Sequence, residues 1–519
     1  MKKRHLLTLL LISLSFKIFA AIAFVTPSGA GTMDGTSWNN AYPGASLQVA
    51  INASGSGDEV WVAAGTYYTT SDTNRAVSFS MKNDVTIYGS FAGAETSLSQ
   101  RILTNGLTSI LSAEIGVAGN ADNSYHTIHN TGLNNTAVID GFIISDANDN
   151  RTATINEGLG GGIYNDGSGA ANVCSPVIRT CAVINNQAVF GAGIFNSGYL
   201  GGTANPVIIN CVIAFNTAIT GGGGIDNFGV SGNANPVITN CIIYNNTAAQ
   251  RAGGMYCWGG NNGNANPVVL NSVFANNTCV DGGGVVCDNL NTTSGNSGSA
   301  NPDFRNCIFW GNTASGTGPQ FYVLGSGLFT ATYSDIDLTA QSAPHIISGA
   351  GTGNMNYYPQ FTNGNNGAGT DGIWMTADDG LQLNNLSPCV DYGDNSGVTP
   401  TDLLSHTRIF NFVVDMGPYE LGATFTSIAD QNNSGSLISN PYPNPASATT
   451  QIGYKLPEGI DEGEIVLYDV CGNEVMRFAV NNSTGTLLIS TSAISAGTYY
   501  YQLQTATQTS EGKKLIVTD

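Results

Sequence analysis

Charged residues are scarce in this chain of 519 residues, making up only 10% of the total. Long stretches rich in Leu, Glu and Lys are also missing, which argues against a helical protein. The 16 basic residues are outnumbered by 36 acidic ones, and this net charge of −20 excludes nucleic acid and anionic membranes as partners. Glycine is abundant instead, with 66 residues, and such a composition favours short strands joined by tight turns.

The first 23 residues predict a secretory signal peptide. Lys2, Lys3 and Arg4 precede an apolar run at 6–16, and Ala-Ile-Ala follows at 21–23. Lys17 interrupts this order. The apolar run is too short to span a bilayer and nothing later reaches its length, so we predict export without a transmembrane segment.

A repeat of about 30 residues runs through the middle of the chain. Successive copies begin at a proline, and these prolines are 30, 30, 31 and 35 residues apart. Thirty residues hold three short strands with turns between them, which is one coil of a β-solenoid. The apolar runs are short, β-branched and broken by Gly or Asn, unlike a helical repeat. We therefore predict an all-β protein with a right-handed parallel β-helix, regular over 137–330.

Columns of identical residues recur at fixed positions in these copies. Stacked coils place equivalent residues ~4.8 Å apart, so we expect buried stacks and asparagine amide ladders. Asparagine also accepts the left-handed conformation that a coil corner needs. The columns are Cys181, Cys211, Cys241 and Cys307, with Ser272 between the last two; Asn210, Asn240, Asn271 and Asn306; and Asn186, Asn216, Asn246, Asn277 and Asn312.

Ten cysteines in an exported chain raise the question of disulfides. Cysteines in register on neighbouring coils point their Cβ atoms in parallel, which does not suit a disulfide. We therefore expect stacked thiols, with a Cys257–Cys287 disulfide as the main alternative. No CxxC pairs or comparable metal-binding spacing occur, and no cofactor is predicted.

Two other clusters of polar residues resemble metal sites only loosely. His126 and His129 form an H-x-x-H pair, but on a strand an odd spacing points the two rings to opposite faces. Asp371, Asp378 and Asp379 lie in a Gly-rich loop whose oxygen ligands suit Ca²⁺, although the spacing does not match an EF-hand. Solvated turn acids are the preferred interpretation, with calcium as the alternative.

A row of aromatic residues is predicted on one side of the repeat strands. Strand alternation points Tyr164 away from the core, and the same register gives Phe195, Asp226 and Tyr256 on the following coils. If that side faces water, the row would suit stacking on sugar rings. The alternative is that a loop covers these rings, or that they only favour strand formation.

Charge placement separates two kinds of β-helix function. A lyase needs a basic group to remove a proton beside a uronate, but no lysine occurs between Lys82 and Lys455. Arg179 and Arg305 share a register four coils apart, so they cannot serve one site. A hydrolase needs clustered carboxylates, and the acids of the repeats fall on different coil positions. We favour a non-catalytic adhesin or glycan-binding protein, with a polysaccharide lyase or glycoside hydrolase as the alternative.

The body resembles two families of β-helix protein, one in its N-terminal part and one over about 140–330. The segments 37–41, 47–51 and 57–67 look like the opening of pectate-lyase-like right-handed β-helix proteins. The Gly-Gly-Gly-Ile motif at 160–163, together with hydrophobe-x-x-Asn motifs, is similar to polymorphic outer-membrane-protein repeats of bacterial adhesins. We expect 24–136 to form an N-terminal cap and the first irregular coils, with a short amphipathic helix covering the first coil.

Residues 331–423 resemble the choice-of-anchor module that follows such β-helices in surface proteins. The motifs that carry this resemblance are Tyr-Pro-Gln-Phe at 358–361, Leu-Ser-Pro-Cys-Val-Asp at 386–391 and Asp-Met-Gly-Pro-Tyr-Glu at 415–420. The module is expected to cap the C-terminal end of the stack.

Residues 441–519 resemble the C-terminal sorting domain of the type IX secretion system, and their alternating strands also suggest a small β-sandwich. The resemblance implies export across the outer membrane of a Bacteroidota-type cell, removal of the domain within the polar linker 424–440, and then attachment to surface lipopolysaccharide or release. The implied partners are the secretion machinery, lipopolysaccharide and a polysaccharide or host glycan. The sorting signal would comprise Pro443, Asn444, Pro445, Gly497, Tyr499, Lys513 and Lys514.

Overall fold

The computed structural model describes residues 20–518 except 153–156, 291–297, 340, 342–346, 349–351, 411–412, 424–437, 439–440, 442–445, 458–459, 461, 471, 482–483, 492–493, 507–508 and 511. Most of the predicted signal peptide and linker, together with Pro443, Asn444 and Pro445, therefore lies outside the described residues. Within the described part of the chain, no helix combines the length and the apolarity needed to cross a membrane.

The body of the protein is a parallel β-solenoid, which confirms the predicted fold class. In the regular region each coil contributes one strand to each of four sheets, which we number in the order in which a coil enters them. Sheet 1 contains Tyr42–Pro43, Ile22–Thr26, Glu59–Ala63, Thr86–Phe91, Val138–Asp140, Val177–Arg179, Val207–Ile209, Val237–Thr239, Val268–Leu270, Asp303–Arg305, Phe329–Thr332 and Ile347–Ser348. Sheet 2 contains Gly65–Tyr68, Ser109–Ser112, Phe142–Ser145, Ala182–Ile184, Val212–Ala214, Ile242–Tyr244, Val273–Ala275, Ile308–Trp310 and Asp335–Ile336.

The other two sheets complete the cross-section of the coil. Sheet 3 contains Asn148–Asp149, Gln187–Phe190, Thr217–Gly221, Thr247–Ala248, Thr278–Cys279 and Thr313–Ala314. Sheet 4 contains Ile128–Thr131, Ile163–Asp166, Ile194–Ser197, Ile225–Phe228, Met255–Trp258, Val285–Asp288 and Phe321–Leu324. Equivalent residues of neighbouring coils pair in register, as Ile178 does with Ile208 and Ile208 with Ile238, so the repeat period directly builds the aliphatic stacks of the core.

Sharp corners join the sheets, and asparagine occupies most of those between sheets 1 and 2 and between sheets 2 and 3. The corner between sheets 1 and 2 places Asn210, Asn240 and Asn271 in the left-handed region, with φ of 53°, 50° and 47°. The predicted amide ladder of this column is largely wrong. Asn240 donates to Asn210 over 3.0 Å, but Asn271 and Asn306 donate to backbone carbonyls of 352–423 instead.

The column from Asn186 to Asn312 forms a continuous ladder inside the stack. Each side-chain amide donates to the Oδ1 atom of the next asparagine, over 3.0 Å in the first three steps and 2.8 Å in the last. A further ladder along sheet 4 joins Asn130, Asn165, Asn196 and Asn227 over 3.0, 2.9 and 2.9 Å. Both ladders satisfy polar groups that are closed off from water, so they fix the register of the coils.

The cysteines continue these columns as buried thiols. All nine cysteines in the described residues are free and buried, including Cys257 and Cys287, so the alternative of a disulfide between these two is wrong for this structure. Cys257 extends the asparagine ladder, because the Asn227 amide donates to its sulfur over 3.8 Å. Burial raises the pKa of both thiols well above the ordinary range.

The N-terminal end of the stack is covered by a short helix. The helix Leu47–Ala53 follows 3-10 turns at Trp38–Asn40 and Gly44–Ser46, and a third 3-10 turn lies at Leu98–Gln100. Leu47, Ala50 and Ile51 are buried in the same apolar cluster as the first coils, whereas Val49 is 61% exposed. The amphipathic pattern therefore places one helical face on the open end of the solenoid.

Most of the described residues in 352–423 lie along the outward face of sheet 2 rather than over the end of the stack, whereas Met355 extends sheet 2 at its C-terminal end through a bridge to Asp335. The ring of Trp374 packs on Tyr244 with centroids 5.6 Å apart. The Asn276 amide donates to the Gly364 carbonyl over 2.9 Å, and the Asn240 amide donates to the Thr401 carbonyl over 2.9 Å. The reason is that sheet 2 is apolar on both faces, and its outward side chains share one buried cluster with this lateral module.

The core of the lateral module is held by one fully buried arginine. Arg408 donates from Nη2 to the carbonyls of Asp415 and Gly417 over 3.0 and 2.6 Å, and its Nη1 lies 4.0 Å from a carboxylate oxygen of Glu420. Asp402 accepts hydrogen bonds from the backbone amides of residues 404, 406 and 420. The segment thus folds around a buried polar network rather than around strands.

The lateral module is expected to be more stable at pH 5 than at pH 8. Burial raises the pKa of Asp415 to about 6, of Asp379 to about 7 and of Glu420 to about 8. Carboxyl groups whose folded pKa exceeds the unfolded value stabilise the fold fully at low pH, and this contribution is lost as pH rises from about 4 to about 8. Hydrogen exchange of the lateral module, corrected for intrinsic exchange rates, measures this pH dependence of its stability. Glu420→Gln should reduce the loss of stability in the upper part of the pH range. Stability that rises with pH over this window would contradict the assignment.

A separate unit follows the solenoid body. Its strands are antiparallel, with Thr449–Lys455 paired to Thr484–Ser490, and Glu474–Val480, Gly463–Asp469, Gly497–Gln504 and Lys513–Val517 forming a second sheet. Ile465, Leu467, Tyr501, Leu503 and Leu515 are buried between them. These two small sheets are the arrangement that the alternating pattern predicted.

Candidate functional site

The predicted aromatic row exists in sheet 4, and its side chains are covered, which is the alternative that the sequence left open. Tyr164 pairs with Phe195, Phe195 with Asp226, and Asp226 with Tyr256 on successive coils. The four side chains are only 7%, 2%, 1% and 3% exposed, respectively, so they cannot form a sugar-binding surface as they stand.

Glycine turns between sheets 3 and 4 explain this burial. Gly191 and Gly222 adopt φ of 59° and 66°, which side-chain-bearing residues rarely adopt. A Cβ atom on Gly191 would lie 2.8 Å from that of Phe195, and one on Gly222 would lie 2.7 Å from that of Asp226. The turn backbone therefore packs directly on the row, as a covering loop would.

A second row, two residues further along each strand, faces outward beside the first. It includes Phe228 and Trp258, which are both half-buried and pair in register, with ring centroids 5.0 Å apart. Tyr199, from the turn after the preceding strand, lies 5.3 Å from Phe228. We call Tyr199, Phe228 and Trp258 the aromatic strip. The sequence already contained this pattern, because Phe228 and Trp258 each follow a residue of the first row, Asp226 and Tyr256, by two positions.

Polar groups border the strip at Trp258. The ring of Tyr256 stacks on Trp258 with centroids 5.9 Å apart, and the Tyr256 hydroxyl donates to Asp288 over 2.8 Å. Arg251, whose side chain is 41% exposed, places Nη1 3.4 Å from the same carboxylate. The indole N–H of the half-buried Trp258 has no acceptor among the residues that the structure describes.

Asp226 is the acidic residue in the buried row, which otherwise contains the aromatic residues Tyr164, Phe195 and Tyr256. Both of its carboxylate oxygens are buried without a hydrogen-bond partner in the described part of the chain, and burial raises the pKa of Asp226 well above its ordinary value. The side chain lies buried between Phe195 and Tyr256, where its charged form is disfavoured, and it cannot act as a surface carboxylate.

Replacing Asp226 by leucine is expected to stabilise the protein at pH 7 by roughly 2–4 kcal/mol, because leucine removes two buried carboxyl oxygens that have no hydrogen-bond partner in the described part of the chain. The gain should shrink towards pH 4, where the unfolded chain also holds the proton. Thermal and denaturant unfolding across pH measure it, with the exposed Asp303→Leu as the matched control. A destabilised Asp226→Leu variant would show that the carboxyl has a partner.

His126 and His129 lie side by side, so their predicted separation onto opposite faces is wrong. The ring centroids are 5.2 Å apart, because His126 precedes the strand Ile128–Thr131 and strand alternation does not apply to it. The His126 ring nitrogen Nδ1 lies 2.7 Å from the Gly160 carbonyl, and burial lowers the pKa of His126 to about 4. His129 stacks on Tyr164 with centroids 4.8 Å apart. The pair extends the aromatic row rather than forming a metal site.

The aspartates proposed for calcium do not form an oxygen cage. Asp378 accepts hydrogen bonds from Thr370 and Thr376, and these bonds lower its pKa. Asp379 instead turns inward and accepts the Tyr419 hydroxyl over 2.6 Å, while Asp371 closes its own turn at the amide of Ile373. The described residues contain no group of three or more metal-binding side chains.

The described residues of the predicted sorting signal lie in the second C-terminal sheet. Gly497 begins the strand Gly497–Gln504, which pairs with the strand carrying Lys513 and Lys514. The Tyr499 hydroxyl donates to the carbonyl of Ser495 over 2.8 Å, which closes the turn before the strand. These residues have evident structural roles in the unit.

Comparison with known families identifies this C-terminal unit. Residues 440–518 match the secretion system C-terminal sorting domain family. No curated protein matches the chain. The protein is therefore a secreted, cell-surface protein that engages the type IX secretion machinery.

Proposed function

We propose that the exported solenoid is a non-catalytic glycan-binding adhesin and that the aromatic strip is its binding surface. The observation that carries the proposal is the half-exposed ring series Tyr199, Phe228 and Trp258, whose neighbouring centroids are 5.3 and 5.0 Å apart along the coil axis. Aromatic faces with an apolar body and a polar edge suit the alternating C–H and hydroxyl surfaces of sugar rings. Retention on surface lipopolysaccharide would hold this strip outside the cell.

A polysaccharide lyase or hydrolase is the less supported alternative. Acid–base cleavage of a glycosidic bond uses two accessible carboxyl groups on either side of it. Near the strip, Asp226 is buried by the glycine turn, and Asp288 is held by Tyr256 and Arg251. This placement favours binding over catalysis.

Replacing Trp258 by alanine is expected to weaken glycan binding about fivefold, and adding Phe228→Ala should weaken it about thirtyfold, since each ring contact contributes about 1 kcal/mol. The full chain is screened on a glycan array and the affinity for the best ligand is then measured by titration calorimetry. Tyr357→Ala, which removes a ring that is 67% exposed in the lateral module, is the matched control. Unchanged binding in the double variant, or an array without a glycan ligand, would refute the proposal.

A further inference from the structure

We infer that the aromatic strip selects uncharged glycans rather than uronates or other acidic sugars, an inference that rests on the proposed function. An aromatic strip alone does not set the charge of its ligand, because a ring face stacks on neutral and acidic sugars alike. The charged side chains around the strip therefore decide the ligand class.

The one arginine at the strip is already neutralised. The Arg251 guanidinium lies 3.4 Å from the carboxylate of Asp288, which is itself buried and oriented by the Tyr256 hydroxyl. On the next coil, Asp281 is the register partner of Arg251. The carboxylate of Asp281 accepts a hydrogen bond from the Thr317 amide, so it adds a second negative charge on this face. Because Asp288 already balances the charge of Arg251, an anionic ligand would gain little attraction from the arginine.

The other charged side chain of the outward row is also acidic. Ser197 is the neighbour of Phe228 on the N-terminal side, and Asp166 lies one coil further, with its carboxylate 4.0 Å from His129. The net charge of the whole chain, −20, adds a repulsive field for acidic polymers. The carboxylates of an acidic glycan would lose water on binding to this surface, and no unpaired cation of the strip would compensate for that loss.

The same surface offers what a neutral sugar needs. The indole N–H of Trp258 has no acceptor in the described structure. Arg251 is 41% exposed and has further N–H groups, while its charge is balanced by the same Asp288 that accepts the Tyr256 hydroxyl. Such N–H groups donate hydrogen bonds to the hydroxyl oxygens of a sugar, and these bonds do not require a charge on the ligand. The strip is therefore built to orient hydroxyl groups over aromatic faces.

Matched polysaccharide pairs test this inference on the full-length protein. Methyl-esterified and de-esterified polygalacturonate, and hydroxyethyl- and carboxymethylcellulose, differ chiefly in charge and are compared at low and high salt. We expect the neutral member of a bound pair to bind at least about tenfold more tightly, a difference of about 1.4 kcal/mol, with little dependence on salt. Arg251→Gln should weaken that binding several-fold and leave its salt dependence unchanged.

The outcomes separate the two levels of the proposal. Tighter binding of the acidic member, lost at high salt and in Arg251→Gln, would overturn the charge selection and leave the glycan-binding function standing. Absence of binding to every neutral and acidic polymer, or binding that Trp258→Ala does not weaken, would overturn the glycan-binding function and the charge selection with it.

Discussion

Replacing Arg408 by alanine is expected to reduce the free energy of unfolding of the lateral module by about 3–5 kcal/mol. The change removes the largest fully buried side chain among the described residues and the cation that lies among Asp402, Asp415 and Glu420. It also leaves the Gly417 carbonyl without its donor and the Asp415 carbonyl with only the 3.5 Å hydrogen bond from the Asn271 amide. Because this module covers the apolar outward face of sheet 2, we expect rapid proteolysis within 352–423 and binding of a hydrophobic dye by the exposed sheet.

The matched control for this prediction is Arg477→Ala in the C-terminal unit. Arg477 pairs with Glu464 and Glu474 at the surface, where ion pairs contribute little to stability. We expect it to leave proteolysis of the lateral module unchanged. If Arg408→Ala proved as mild as Arg477→Ala, the buried network would not be what holds the module on the solenoid.

Replacing Asn246 by alanine is expected to destabilise the solenoid by about 4 kcal/mol. Asn246 is fully buried; its Oδ1 atom accepts from the backbone and side-chain amides of Asn216, and its Nδ2 atom donates to the Ile213 carbonyl and to Asn277. Alanine leaves several of these buried groups unpaired, at a cost of about 1–3 kcal/mol each. Calorimetric or denaturant unfolding of the full chain measures the loss.

The adjacent Thr247→Ala is the control for the ladder. Thr247 is exposed on sheet 3, and surface substitutions of this kind change stability by about 0.5 kcal/mol or less. Equal effects of the two substitutions would mean that the asparagine ladder does not stabilise the stack.

The solenoid was predictable from sequence because its interactions repeat at a constant register. The prolines at 30- and 31-residue spacing and the column from Asn186 to Asn312 already specify which residues stack, and the structure pairs them in that register. The left-handed corners at Asn210 and Asn240 also follow from residue type. The residue types at fixed positions of the repeat therefore determine the conformation and the stacking of the coils.

The position of the lateral module and the exposure of the aromatic row depend on packing between distant segments. Val212-Ile213-Ala214 and Ile242-Ile243-Tyr244 are apolar at every position, which indicates burial on both faces and points to a cover over sheet 2. The sequences of these strands do not indicate which segment of the chain covers them. The burial of Phe195 likewise depends on the turn at Gly191, whose path a period-two pattern does not predict.

The most direct test of the glycan-binding account is a structure of the protein with its best array ligand bound. The account predicts sugar rings stacked on Phe228 and Trp258, with ligand hydroxyl groups within hydrogen-bond distance of the Trp258 indole nitrogen and Arg251. A ligand bound on another sheet or on the lateral module, with the aromatic strip left open to solvent, would contradict it.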